Sequence, residues 1–227
     1  MYLCIWTLMP MAIYLLISIP FSFYIKLSNG ISYLNWSSVG NWVSTSSFLA
    51  FILSVNMAGK YRSASSYSRS MLSSPISNKD HLIGIITWSS AMGTIQLFFS
   101  LFISLSLKSG NLFFSDILLV VIYIIPIILL MSNIGIFFGL AIQKVSIRSM
   151  VSVIFLIFIL FSSGMFTPIH QDLPLIFTLS PFYLAIQNIQ AIMTNDASII
   201  FPAFFLLFIS FLMFVFNLIV SAKVFRL

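Results

Sequence analysis

Residues 1–25, 27–59, 81–107, 117–143, 149–171 and 197–222 contain no lysine, arginine, aspartate or glutamate. Each of these intervals exceeds the roughly 20 helical residues that cross the hydrocarbon core of a bilayer. A soluble domain of 227 residues needs about 25% charged residues to cover its surface. Here charged residues make up 6% of the chain, hydrophobic residues make up 60%, and the mean hydropathy is +1.13. No glutamate occurs at all. A chain of this kind has a surface that largely faces lipid.

The pattern predicts an all-α integral membrane protein with six transmembrane helices, forming one transmembrane domain over residues 1–227. The expected spans are about Tyr2–Ile25, Val39–Ala58, Leu82–Leu107, Ile117–Ile142, Met150–Phe166 and Ile199–Ala222. Pro10, Pro20 and Pro126 fall inside spans, which membrane helices tolerate when neighbours satisfy the freed carbonyls. The first run has no basic flank and no A-x-A site, so it reads as a retained helix rather than a cleaved signal. Trp36 is placed as an interface anchor. The second span is unusually polar, with Asn41, Ser44, Thr45, Ser46, Ser47, Ser54 and Asn56. Between the last two spans, Thr167–Ser198 is aromatic and amphipathic and carries Pro168, Pro174 and Pro181. Short external re-entrant helices are expected there.

The positive-inside rule orients the chain. With six spans both termini share a side. Placing them in the cytoplasm puts Lys60, Arg62, Arg69, Lys79, Lys144, Arg148, Lys223 and Arg226 inside, against Lys26 and Lys108 outside. The net charge of +6 therefore has a membrane explanation, and no nucleic-acid partner is expected. The single cysteine, Cys4, has no partner for an internal disulfide and reads as a small apolar filler.

Catalytic signatures are missing. Gly59-Lys60 lacks the upstream glycine of a phosphate-binding loop, and there is no HExxH, no CxxC and no acid cluster for Mg²⁺. His81 and His170 fall on opposite sides of the expected membrane and form no common site. The chain is expected not to be an enzyme by itself, with no metal and no cofactor bound. Nor do the span cores carry an ionisable side chain, which argues against a self-powered carrier, since ion coupling usually needs one near the midplane. The polar groups inside spans are hydroxyls and amides. Asn41, Ser44 and Ser47 share one face of the second span, and Thr87, Ser90 and Thr94 share one face of the third. Such faces either bond helices together or line a wetted translocation path. Gly135-Ile-Phe-Phe-Gly139 is a GxxxG pair permitting close helix contact, within the chain or between copies.

Three stretches resemble the permease subunit of ABC-2 type exporters. Met71-Leu-Ser-Ser74-Pro75-Ile-Ser, followed by Leu82-Ile-Gly84, is similar to the family's run entering its third helix. Ile134–Ala141 resembles the glycine-rich end of its fourth. Ser163-Gly164-Met-Phe-Thr-Pro168, then Leu173-Pro174, then Ser180-Pro181, resembles the family's external gate motif after the fifth helix. Together these cover about half the chain. The resemblance implies that two permease subunits pair, as a homo- or heterodimer, and that two separate ABC ATPase subunits dock on the cytoplasmic side. ATP and Mg²⁺ would bind only to those partners. It implies that Arg62, Arg69, Ser74, Pro75, Lys79, Lys144 and Arg148 belong to the segments coupling to the ATPase. It further implies export of an amphiphile, such as a drug, peptide or lipid-like molecule, across a bacterial cytoplasmic membrane. A polysaccharide or glycolipid cargo is the alternative, and an ATP-independent channel or carrier is the competing class. In one place the pattern departs: the run Lys60–Arg69 has no acid where the family usually carries one.

Overall fold

The computed structural model describes residues 2–25, 32–62, 77–106, 114–164, 166, 180–193 and 201–224. Among these residues the regular structure is all helical, with no strand. The helices are α1 (Tyr2–Ile13), which continues through a π-helical turn (Tyr14–Ser18) into α2 (Ile19–Ser22), then α3 (Tyr33–Arg62), α4 (Asn78–Ser106) and α5 (Phe114–Ala141), followed by α6 (Val145–Ser162), α7 (Pro181–Met193) and α8 (Phe201–Val224). Five of them are long and apolar enough to cross a bilayer: α3, α4, α5, α6 and α8. They mark a multi-pass membrane protein.

The sixth expected span coincides with α1, the π turn and α2. Together they run from Tyr2 to Ser22, which at about 1.5 Å per residue is roughly 30 Å, comparable with the thickness of a bilayer core of about 30 Å. The π turn lies just ahead of Pro20, whose ring and missing N–H disturb the preceding turn of an α-helix. The thirteen-residue α7 lies within the segment where short helices are expected.

The least apolar of the five spans, α3, is also the most buried. It packs chiefly against α5 and α4, and α5 in turn packs against α8. Lipid offers no hydrophobic drive for helix association, so close packing and polar bonds decide which helices meet. Both are present on α3. Ser46, Ala50, Ser54 and Ala58 recur every fourth residue, forming a small-residue stripe on one face. A Cβ placed on Gly93 of α4 would lie 2.9 Å from the Ser46 carbonyl and 3.0 Å from Ala50 Cβ. On Gly135 of α5 it would lie 2.0 Å from Ser54 Oγ and 2.6 Å from the Phe51 carbonyl; on Gly139, 2.6 Å from Ala58 Cβ. The GxxxG pair therefore serves contact within the chain, against α3.

Trp42, Phe51, Leu97, Tyr123, Ile127 and Met131 lie in the main apolar core. A smaller cluster of Ala58, Leu82, Ile85, Ile136 and Leu140, with Leu218 and Val220 against it, marks one end of the bundle. There α3, α5 and α8 finish while α4 begins. Lys60, Lys79, Lys144 and Lys223 stand near these helix ends, so this is the basic end of the molecule.

α6 is the most loosely held of the five spans. It touches α3 and α5, and Phe155 anchors it with ring centroids 5.5 Å from Phe51 and 5.0 Å from Phe138. At the opposite end from the cations, the Tyr33 hydroxyl donates to the Phe166 carbonyl at 2.6 Å, fixing the start of α3 to the chain leaving α6.

Candidate functional site

Three polar assemblies stand out in this apolar molecule. The first is internal to α3. Its hydroxyls return to their own backbone: Ser44 and Thr45 donate to the Asn41 carbonyl at 3.3 and 2.7 Å, Ser46 to that of Trp42 at 2.6 Å, and Ser47 to that of Val43 at 2.5 Å. Back-bonding of this kind satisfies a hydroxyl where no water is present. Two side chains of this stretch bond outside the helix. Asn41 Nδ2 donates to the Pro10 carbonyl of α1 at 3.2 Å, and Trp42 Nε1 donates to Ser104 Oγ of α4 at 2.8 Å. Asn41, Ser44 and Ser47 are almost fully buried; Asn41 joins α3 to α1, while Ser44 and Ser47 bond within α3.

The second assembly joins α4, α5 and α8. Asn133 Nδ2 donates to Ser210 Oγ at 3.0 Å and to the Leu129 carbonyl at 3.0 Å, while Asn217 Nδ2 donates to the Asn133 carbonyl at 2.8 Å. Ser90 and Ser132 hydroxyls meet at 3.1 Å. Asn133 and Ser210 lie in a groove of about 290 Å³, with Thr87 among its polar lining and Ile86, Leu207, Phe211 and Phe214 among its apolar walls. Thr87 is exposed, and Leu207 and Phe211 are 40% and 60% exposed, so the groove opens sideways between α4 and α8. The Oδ1 of Asn133 has no hydrogen-bond partner, although the residue is only 3% exposed.

The third assembly is at the basic end. Arg148, in the first turn of α6, is 6% exposed and its guanidinium lies over Gly59 of α3. A Cβ on Gly59 would stand 2.0 Å from Arg148 Nη1, so this arginine occupies space that only glycine leaves free. Nη1 itself has no hydrogen-bond partner. The guanidinium sits close to the C-terminal end of α3, where the carbonyl ends of the helix favour a cation. Nearby, Ser77 and Asp80 cap α4: the Asp80 N–H donates to Ser77 Oγ at 3.2 Å and the Ser77 hydroxyl donates to Asp80 Oδ2 at 2.6 Å.

The residues singled out from sequence are therefore placed differently from one another. Lys79 and Lys144 are exposed at the basic end, while Arg148 turns inward. Arg62 is the last residue of α3. Arg69, Ser74, Pro75, Pro168 and Pro174 lie outside the described residues. Thr87 lines the groove, Ser90 bonds across to α5, and Thr94 bonds the Ser90 carbonyl at 2.9 Å. The faces holding Asn41 and Thr87 are thus engaged separately. Ser163 and Gly164 are buried just beyond α6, with Gly164 at φ 71°, a conformation that suits glycine. Pro181 opens α7, a position where its missing N–H costs nothing.

Asn133, Ser210 and Asn217 were not anticipated as a group. Their signal is weak but physical: Asn133 and Asn217 are the lone asparagines of two strongly apolar helices, and a buried amide in lipid requires partners. In comparisons with family models, curated proteins and solved structures, nothing matched this chain.

Proposed function

We propose that this chain is the membrane-spanning subunit of an ABC-2 type exporter, moving an amphiphilic molecule out across a bacterial cytoplasmic membrane with energy from separate ATPase subunits. The observation carrying this reading is the run Ser163-Gly164, Pro168, Leu173-Pro174 and Ser180-Pro181, set between an apolar helix and the short helix α7. The basic end supports it as the cytoplasmic face. Exposed Lys79 and Lys144 offer charge to an acidic partner surface, and Arg148 links the first turn of α6 to α3. In this reading a push on the α5–α6 connection reaches the most buried helix through Arg148. The α1–α2 segment completes six spans, and a second copy or a related permease completes the pathway.

The test is affinity purification of the tagged chain in mild detergent, co-expressed with its neighbouring genes. Recovery of an ATPase subunit at equal stoichiometry, with ATP hydrolysis dependent on both chains, is the expected result. Recovery of the chain alone, together with solute flux through it in liposomes without ATP, replaces this reading with a channel or carrier.

A further inference from the structure

We propose that the groove between α4, α5 and α8 is a binding site, entered from the bilayer, for an apolar molecule carrying a hydroxyl or an amide N–H. The site is built from this chain alone and does not rest on the exporter reading.

The argument starts at Asn133. Its amide orientation is fixed, because the atom 3.0 Å from the Leu129 carbonyl must be the nitrogen. The oxygen is then the atom with no partner. Asn133 lies about two turns before the end of α5 at Ala141, roughly 12 Å inside that end. At such a depth bulk water does not supply a donor, and an unmet acceptor is costly. Ser210 accepts from Asn133 Nδ2, and that bond leaves its hydroxyl proton to donate. At the floor an acceptor and a donor therefore stand side by side, the acceptor covered until a ligand enters. A hydroxyl or a secondary amide answers both; an ester or a hydrocarbon chain offers no donor.

The walls select for an apolar body. Ile86, Leu207, Phe211 and Phe214 surround these polar groups, and the exposed rim of Leu207 and Phe211 faces lipid rather than water. A volume of about 290 Å³ is at the lower limit for small-molecule sites. It fits one chain segment or ring system, not a whole phospholipid. Entry is lateral, through the exposed side between α4 and α8.

The experiment uses the full chain in vesicles of phosphatidylethanolamine and phosphatidylglycerol. Three photoactivatable probes share one diazirine-bearing alkyl chain and end in an N-methyl amide, an alcohol or a methyl ester. Crosslinked residues are located by mass spectrometry, with labelling at Phe158 on the lipid-facing side of α6 as reference. The amide and alcohol probes are expected to label Leu207 and Phe211 about tenfold more than the ester does. Asn133→Leu is expected to remove that preference. Leu207→Trp, which fills the groove and breaks none of the described hydrogen bonds, is expected to abolish groove labelling while Phe158 labelling persists. Equal labelling by all three probes identifies ordinary bilayer chains, and absence of groove labelling identifies water as the partner of Asn133. Disulfide formation between copies of Phe211→Cys shows a second copy covering the groove. Each of these three results overturns the proposal.

Discussion

At the residue scale, glycine positions carry unusually sharp consequences. Gly135 has the Ser54 hydroxyl and the Phe51 carbonyl where its Cβ would be. A carbonyl cannot rotate away as a flexible side chain does, so α3 and α5 must separate. Gly135→Ala is expected to destabilise the protein by about 1–3 kcal/mol, the usual cost of overpacking. Gly84 on α4 meets nothing within 4 Å. Gly84→Ala is expected to stabilise by roughly 0.5–1 kcal/mol through helix propensity. Thermal unfolding in detergent followed by tryptophan fluorescence distinguishes the two, and equal effects would contradict the packing described. The Trp42–Ser104 bond allows a second test at this scale. Ser104→Ala and Trp42→Phe are each expected to lose stability, with a coupling of about 0.5–2 kcal/mol in the double-mutant cycle. Strict additivity would mean the bond contributes nothing. From the sequence alone, Trp42 looked like any apolar aromatic, because its partner is on another helix.

At the scale of elements, α3 and α6 are opposites. α3 is the least apolar of the five spans and sits at the centre, whereas α6 is more apolar and is held by few contacts. Arg148 is among those contacts, and its effect is testable. The buried Nη1 of Arg148 has no hydrogen-bond partner, which costs free energy, and an apolar residue of similar volume removes that cost. Arg148→Met is therefore expected to leave stability unchanged or to raise it by about 1–4 kcal/mol. If the basic end transmits force as proposed, the same variant lowers transport while the partner's ATP hydrolysis persists. A loss of stability with normal transport per folded molecule would assign Arg148 to packing alone. Helix existence was legible for these elements, since long uncharged intervals announce spans. The π turn before Pro20 was not, because Pro10 and Pro126 have ordinary α-helix ahead of them.

For the whole molecule, the cation distribution predicts one orientation. In intact bacterial cells, Lys144→Cys and Lys223→Cys are expected to resist a membrane-impermeant maleimide until the membrane is permeabilised. Lys108→Cys is expected to react at once. Reversed labelling would invert the topology and with it the face available to an ATPase. By itself the sequence determined the solvent of this protein, its helical class and the approximate limits of its long spans. These follow from hydropathy and charge, which are local properties of each segment. Only the tertiary structure decided that α3 lies inside, that Gly135 and Gly139 face it within the chain, and that Asn133 meets Ser210 and Asn217. Those outcomes depend on close fit and directional bonds between segments far apart in the chain. Hydropathy contains neither, because to lipid a stripe of small residues and a lone asparagine are only slightly less apolar stretches of helix.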